Sequence, residues 1–127
     1  MSAQAVELRI ELETLFGGQR ISGRRALETF AVINLGLIES LRNGALDAND
    51  AICRFYNAAN CLFVRRKLRN ALCDDVMAHG VQLADLFDAL SPSAARRQFA
   101  LELNAMAKIC LRLLRSTNGR RVRRKAG

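Results

Sequence analysis

The chain has 127 residues, a mass of 14.1 kDa and a formal net charge of +8, and half of its residues are hydrophobic. This length suits one folded domain, and the composition excludes a disordered chain and a fibre. No stretch approaches the roughly 18 consecutive apolar residues of a transmembrane helix, and the N-terminus does not have the pattern of a secretory signal. We therefore expect a cytoplasmic protein with no membrane partner.

The first predicted element is a helix, although its pattern also fits a strand. Residues 3–16 alternate apolar and charged residues, which is typical of a strand, but Leu8 and Leu12 also share one helical face. The glutamates of this segment favour the helix, and a Gly-Gly pair ends it. Residues 24–42 predict a helix that is apolar on nearly every face, which is typical of a central helix or of one covered by a partner.

The middle of the chain predicts two further helices. Asp47 begins the first of them, and Asp50 completes a capping box. This helix ends near Asn60 or continues, bent, into the next, which we expect over residues 61–79. Gly80 then serves as a left-handed C-cap.

The last third of the chain is marked by its only proline. A short helix is expected over residues 82–90, followed by a helix that starts at Pro92 after the N-cap Ser91. Its main apolar stripe includes Leu103, Met106, Cys110 and Leu113, and it is expected to end near residue 116, before Asn118-Gly119. The sequence thus predicts an all-α fold, a single compact bundle of five or six helices over residues 1–118. A flexible, disordered, Arg-rich tail is expected over residues 119–127.

Positive charge is concentrated in three places. The tail holds five basic residues and no acid, so the rest of the chain is only mildly basic. Arginine favours planar anionic partners, so these clusters are candidate sites for a protein partner or for phosphate, although the tail also fits a segment that only keeps the protein soluble. The candidate residues are Arg65, Arg66, Lys67, Arg69, Arg96, Arg97, Arg120, Arg121, Arg123, Arg124 and Lys125.

A second group of candidates is polar within apolar surroundings. Buried amides must be hydrogen-bonded, so they either fix the packing of helices, the reading we favour, or line a polar pocket. Tyr56 is also a candidate to expose its hydroxyl at a binding surface. This polar cluster consists of Asn34, Arg54, Tyr56, Asn57 and Asn60.

Catalytic and metal-binding patterns are weak in this sequence. The four cysteines lack the close spacing of zinc or redox motifs, and the single histidine, His79, is placed to cap a helix. Residues 73–90 resemble a helix-turn-helix, but the second helix would place Asp85 and Asp88 against phosphates. We expect no enzyme activity, no metal and no cofactor.

Two functions remain from this reading. The first is a small helical protein that binds another protein, as an adaptor, regulator or inhibitor, through an apolar helix face rimmed by arginines. Its most apolar helices also suit a homodimer. The alternative is an accessory protein that contacts nucleic-acid phosphates through the Arg clusters and the tail.

Overall fold

A computed structural model describes residues 9–17 and 23–126, with side chains described as far as residue 116. In this part of the chain every regular element is helical, so the predicted all-α class is confirmed. The elements are α1 (Leu12–Phe16), α2 (Gly23–Arg42), α3 (Ala48–Arg54), α4 (Ala58–Phe63) continued by a π-helical turn (Val64–Leu68), α5 (Ala71–Gln82), α6 (Asp85–Ala89) and α7 (Pro92–Ala126).

The first predicted element forms a helix only at its end. Glu11, just before α1, is extended, and residues 1–8 lie outside the described part of the chain. The backbone before α1 is held by the Asn60 side chain, which donates to the carbonyl of Ile10 at 2.7 Å and accepts from the amide of Leu12 at 3.0 Å. Ile10 also donates to the carbonyl of Arg54 at 2.9 Å. Within the predicted segment, the described residues before α1 are therefore not helical, and the helix is limited to Leu12–Phe16.

The centre of the molecule is built on α2, whose range matches the predicted helix within one residue. Its Phe30 is fully buried and lies against Phe55, with ring centroids 6.4 Å apart. The largest contact between elements joins α2 to α7, and the Arg42 guanidinium donates to Asn104 at 2.7 Å. The outer face of α2 is open to solvent at Val32, so the helix is not covered on every side.

The start of α3 confirms the predicted capping box. The amide of Asp50 donates to the Asp47 carboxylate at 2.8 Å, and the amide of Asp47 donates to the Asp50 carboxylate at 3.2 Å. The helix ends at Arg54 because the next residue, Phe55, leaves the helical conformation. Asn57 then caps α4 by accepting from the amide of Asn60.

The predicted helix over residues 61–79 is wrong, because the chain breaks at Arg69. The turn before the break closes with a π-type hydrogen bond from the Arg69 amide to the Val64 carbonyl at 3.1 Å. Arg69 has a φ of 51°, in the left-handed region. Asn70 then caps α5 by accepting from the amide of Leu72. Neither glycine nor proline marks this break. The spacing of apolar residues, taken alone, therefore predicts one continuous helix across it.

Gly80 is not a left-handed cap, contrary to the prediction. It lies inside α5, which continues to Gln82. A Cβ atom at this position would overlap the ring of Tyr56. The glycine is therefore needed for the close packing of an aromatic ring against a helix backbone.

The last helix begins at Pro92, as predicted, and buries the predicted stripe of Leu103, Met106, Cys110 and Leu113. Its backbone remains helical past Asn118-Gly119, where we expected it to end, as far as Ala126. One glycine costs a helix about 1 kcal/mol, whereas arginine and lysine are good helix formers. The expectation that residues 119–127 form a flexible, disordered tail outside the helical domain stays a prediction.

Candidate functional site

The outward side of α7 carries a regular stripe of exposed residues. Spacings of four and three residues alternate along it, so its members share one helical face. Two leucines interrupt the polar residues, and Leu101 and Leu111 are 54% and 44% exposed. We call this stripe the outer seam; it consists of Arg97, Leu101, Asn104, Lys108, Leu111 and Arg115.

The charge of α7 differs sharply from that of the rest of the chain. Its sequence contains ten of the 20 basic residues and one of the 12 acidic residues, which gives +9, whereas the remaining residues sum to −1. The acidic residue, Glu102, contacts the Nδ1 atom of His79 and accepts from Gln98 at 3.1 Å. The outer seam therefore has no negatively charged member.

The structure places Arg96 and Arg97 on different sides of α7. Both are exposed, and Arg97 begins the outer seam. Arg96 and Arg42 line a groove of about 370 Å³ together with Phe99, Leu103 and the outer-seam residue Asn104. Of the predicted pair, Arg96 therefore borders the groove, and Arg97 belongs to the outer seam.

The basic cluster at residues 65–69 lies on another element. Arg65, Arg66 and Lys67 project from the π-helical turn, Arg69 follows it, and all four are exposed. This turn contacts α4, α5 and α2. The structure therefore keeps this cluster on a separate element from the outer seam. The side chains of Arg120, Arg121, Arg123, Arg124 and Lys125 lie outside the described residues.

The structure buries three members of the polar cluster, Asn34, Tyr56 and Asn60, whereas Arg54 and Asn57 are partly exposed. Asn34 is fully buried, donates to the Phe30 carbonyl at 2.9 Å and accepts from the Tyr56 hydroxyl at 2.7 Å. Tyr56 is equally buried, so the expected exposure of its hydroxyl is wrong, and burial raises its pKa far above the ordinary value. Arg54 contributes its backbone carbonyl, and every buried side-chain nitrogen or oxygen among the described residues is hydrogen-bonded. These contacts favour a packing role over a polar pocket.

His79 pairs with Glu102, and two of the four cysteines are buried. His79 lies in the last turn of α5, and its partner Glu102 joins that helix to α7. Cys73 and Cys110 are buried, and burial raises the pKa of each thiol to about 12. Such thiols are poor nucleophiles because they stay protonated. In the described part of the chain, no three His, Cys, Asp or Glu residues are placed to hold a metal ion.

The segment that resembles a helix-turn-helix is a structural turn. The bend lies at Leu83 and Ala84, and α6 is a single short helix with exposed Asp85 and Asp88. Leu83 is fully buried and secures the bend in the core. An acidic helix of this length is unsuited to the major groove of DNA.

Comparisons with known proteins do not extend these observations. Within residues 9–17 and 23–126, no helix combines the length and the hydropathy needed to cross a membrane. No protein-family model, no curated protein and no solved structure matches the chain.

Proposed function

We propose that this protein acts by binding another protein through the outer seam of α7. The observation that carries the proposal is the placement of exposed Leu101 and Leu111 on one helical face among Arg97, Lys108 and Arg115. Exposed apolar residues within a polar rim are typical of interaction surfaces, and arginine is enriched in them. The protein would then serve as an adaptor, regulator or inhibitor without catalysis of its own.

The spacing of the outer seam suits a helix as the contacting element of the partner. Alternating steps of four and three residues place side chains along a line, which is the arrangement of knobs in helix–helix packing. The inner face of α7 is already covered by the core, where Leu103, Met106 and Cys110 are buried. A helix laid along the outer seam would cover both exposed leucines at once.

The positive charge of α7 favours a partner whose contacting surface is acidic. With +9 on this helix and −1 on the remainder, an acidic partner would be attracted to α7 over the other faces. Complementary charge of this kind raises the association rate and selects among partners. Arginine and lysine on both sides of the leucines would pair with carboxylates at the rim of the contact.

Site-specific photocrosslinking tests the proposal. A photoreactive amino acid would replace Leu101 or Leu111 in the full chain, expressed in the cells that produce the protein. We expect one discrete protein adduct from both positions. The control is Leu62 on α4, which has a similar exposure but lies off the seam. Adducts should also weaken when Lys108 and Arg115 are changed to glutamate.

The result that contradicts the proposal is equal crosslinking from Leu62 and from the seam, or none from either seam position. An adduct destroyed by nuclease would favour the second candidate function, binding to nucleic-acid phosphates. The specific observation behind that candidate is the ten-to-one excess of basic residues on α7. Such an excess along one helix is a typical footprint for phosphate contact.

A further inference from the structure

A cleft lies where the loop after α2 meets α6 and the first turns of α7. It has a volume of about 420 Å³, which is within the usual range for small-molecule sites. We call it the acidic cleft, because Asp47 and Asp88 are among its lining residues. None of the six residues of the outer seam lines it.

The walls of the acidic cleft are largely apolar and aromatic. Phe87 of α6 meets Phe99 of α7 edge to face, with ring centroids 5.3 Å apart and planes at 61°. Phe87 nevertheless remains 46% exposed, and Leu41 and Leu46 also line the cleft. An apolar group that covers this exposed aromatic surface removes it from water, which is energetically favourable.

The charged groups of the acidic cleft are carboxylates. Asp47 and Asp88 line it, and none of its described lining residues is basic. The Asp47 capping interaction uses one carboxylate oxygen, Oδ1, to accept from the Asp50 amide. Asp88 is exposed on α6. A negative cleft in a chain with a net charge of +8 is opposite in sign to the molecule as a whole.

We propose that the acidic cleft binds an organic cation with an apolar, ring-containing body. The body would cover Phe87 and Phe99, and the ammonium group would lie between the carboxylates of Asp47 and Asp88. An ammonium is also attracted to aromatic faces, so both kinds of wall favour the same ligand. Anions of the same shape are excluded by the two carboxylates.

Three probes of one shape test this proposal by NMR titration of the labelled full chain. They are the biphenylmethylammonium ion, the neutral biphenylmethanol and the biphenylcarboxylate ion. We expect the cation to shift the amide signals of the cleft and to bind about tenfold more tightly than the alcohol, while the carboxylate does not bind. The shifts should centre on residues 44–49, 84–88 and 99.

The variant D88N supplies the decisive comparison, with D85N as its matched control. Both residues are exposed aspartates on α6, but only Asp88 lines the acidic cleft. We expect D88N to reduce the affinity for the cation about five- to tenfold without affecting the alcohol, because only the charged ligand gains from the carboxylate. D85N should change neither affinity by more than about twofold.

Several outcomes would overturn the proposal. Equal binding of cation and alcohol, or equal effects of D88N and D85N, would remove the role of charge. Binding of the carboxylate in preference to the cation would reverse it. If the same amide signals shift when the protein alone is concentrated, a second copy fills the cleft and the organic cation is the wrong occupant.

Discussion

Among single residues, Gly80 has the tightest steric requirement. A methyl group there would overlap the ring of Tyr56, which is held in place by its hydrogen bond to Asn34. We expect Gly80→Ala to lower the free energy of unfolding by about 1–3 kcal/mol, since overpacking forces a buried ring to move. Denaturant unfolding followed by circular dichroism measures this change.

The matched control is Gly36→Ala, in the interior of α2. A Cβ atom at Gly36 meets nothing within 4 Å, so the substitution adds no clash. Alanine is the better helix former, and this variant should gain about 0.5–1 kcal/mol. Similar effects at the two glycines would contradict the role assigned to the Tyr56 contact.

At the scale of elements, the break between α4 and α5 depends on an unusual conformation of Arg69. A φ of 51° is favourable for glycine and costs other residues about 1–2 kcal/mol. We therefore expect Arg69→Gly to be neutral or to stabilise the fold by up to about 1 kcal/mol, because relief of strain outweighs the added freedom of the unfolded chain. Thermal and urea unfolding would measure it.

Arg66→Gly is the control for charge, because it removes the same side chain from the helical turn three residues earlier. Both arginines are exposed, but Arg66 has a helical backbone. Its replacement should destabilise the protein by about 1 kcal/mol. If Arg69→Gly were as harmful as Arg66→Gly, the left-handed conformation would not be a source of strain.

Sequence patterns predicted the elements that have local signals. The capping box at Asp47 and the start of α7 at Pro92 depend on neighbouring residues alone, and both are confirmed. The break at Arg69 was missed because neither glycine nor proline marks it, although its φ lies in the left-handed region. Its one local signal was Asn70, an N-cap residue between two apolar stretches.

The candidate site was predictable only in part. Basic residues at 96 and 97 were identified from sequence, and the structure places both at exposed positions of α7. Periodicity identified the main apolar stripe of this helix but not the outer seam. It could not show which stripe stays uncovered, because that depends on how α7 packs against α2 and α5. The acidic cleft joins residues up to 58 positions apart, beyond the reach of local patterns.

For the molecule as a whole, the buried thiols predict a loss of stability at high pH. Burial raises the pKa of Cys73 and Cys110 to about 12, whereas an unfolded thiol titrates near pH 8.5–9. The folded state therefore keeps protons that the unfolded state releases. Stability is fully present below about pH 8.5 and falls by about 1.4 kcal/mol per pH unit for each thiol above it.

Urea unfolding at a series of pH values between about 7 and 10.5 measures this decline. Cys110→Ala is the informative variant. The quantity compared with the parent chain is the slope of the free energy of unfolding against pH, and not the free energy itself. Removal of one buried thiol should lower the slope by about 1.4 kcal/mol per pH unit. An unchanged slope would show that the decline comes from other groups.

The charge distribution of the whole molecule predicts how it interacts with nucleic acid. Net charge of +9 on one helix attracts any polyanion, so we expect weak binding to mixed-sequence duplex DNA at low salt. If the protein functions by binding an acidic protein, its contact with DNA is electrostatic only. No recognition of bases or of DNA shape would then maintain the DNA affinity as salt is raised. Contacts with six to ten phosphates weaken by about 10³–10⁵-fold between 50 and 200 mM salt, so binding should vanish near physiological salt. Fluorescence anisotropy would measure this DNA binding.

The nucleic-acid function would be favoured instead by two results together. DNA binding would persist near physiological salt, and its salt slope would fall when four arginines of the tail are changed to glutamine. These are Arg120, Arg121, Arg123 and Arg124.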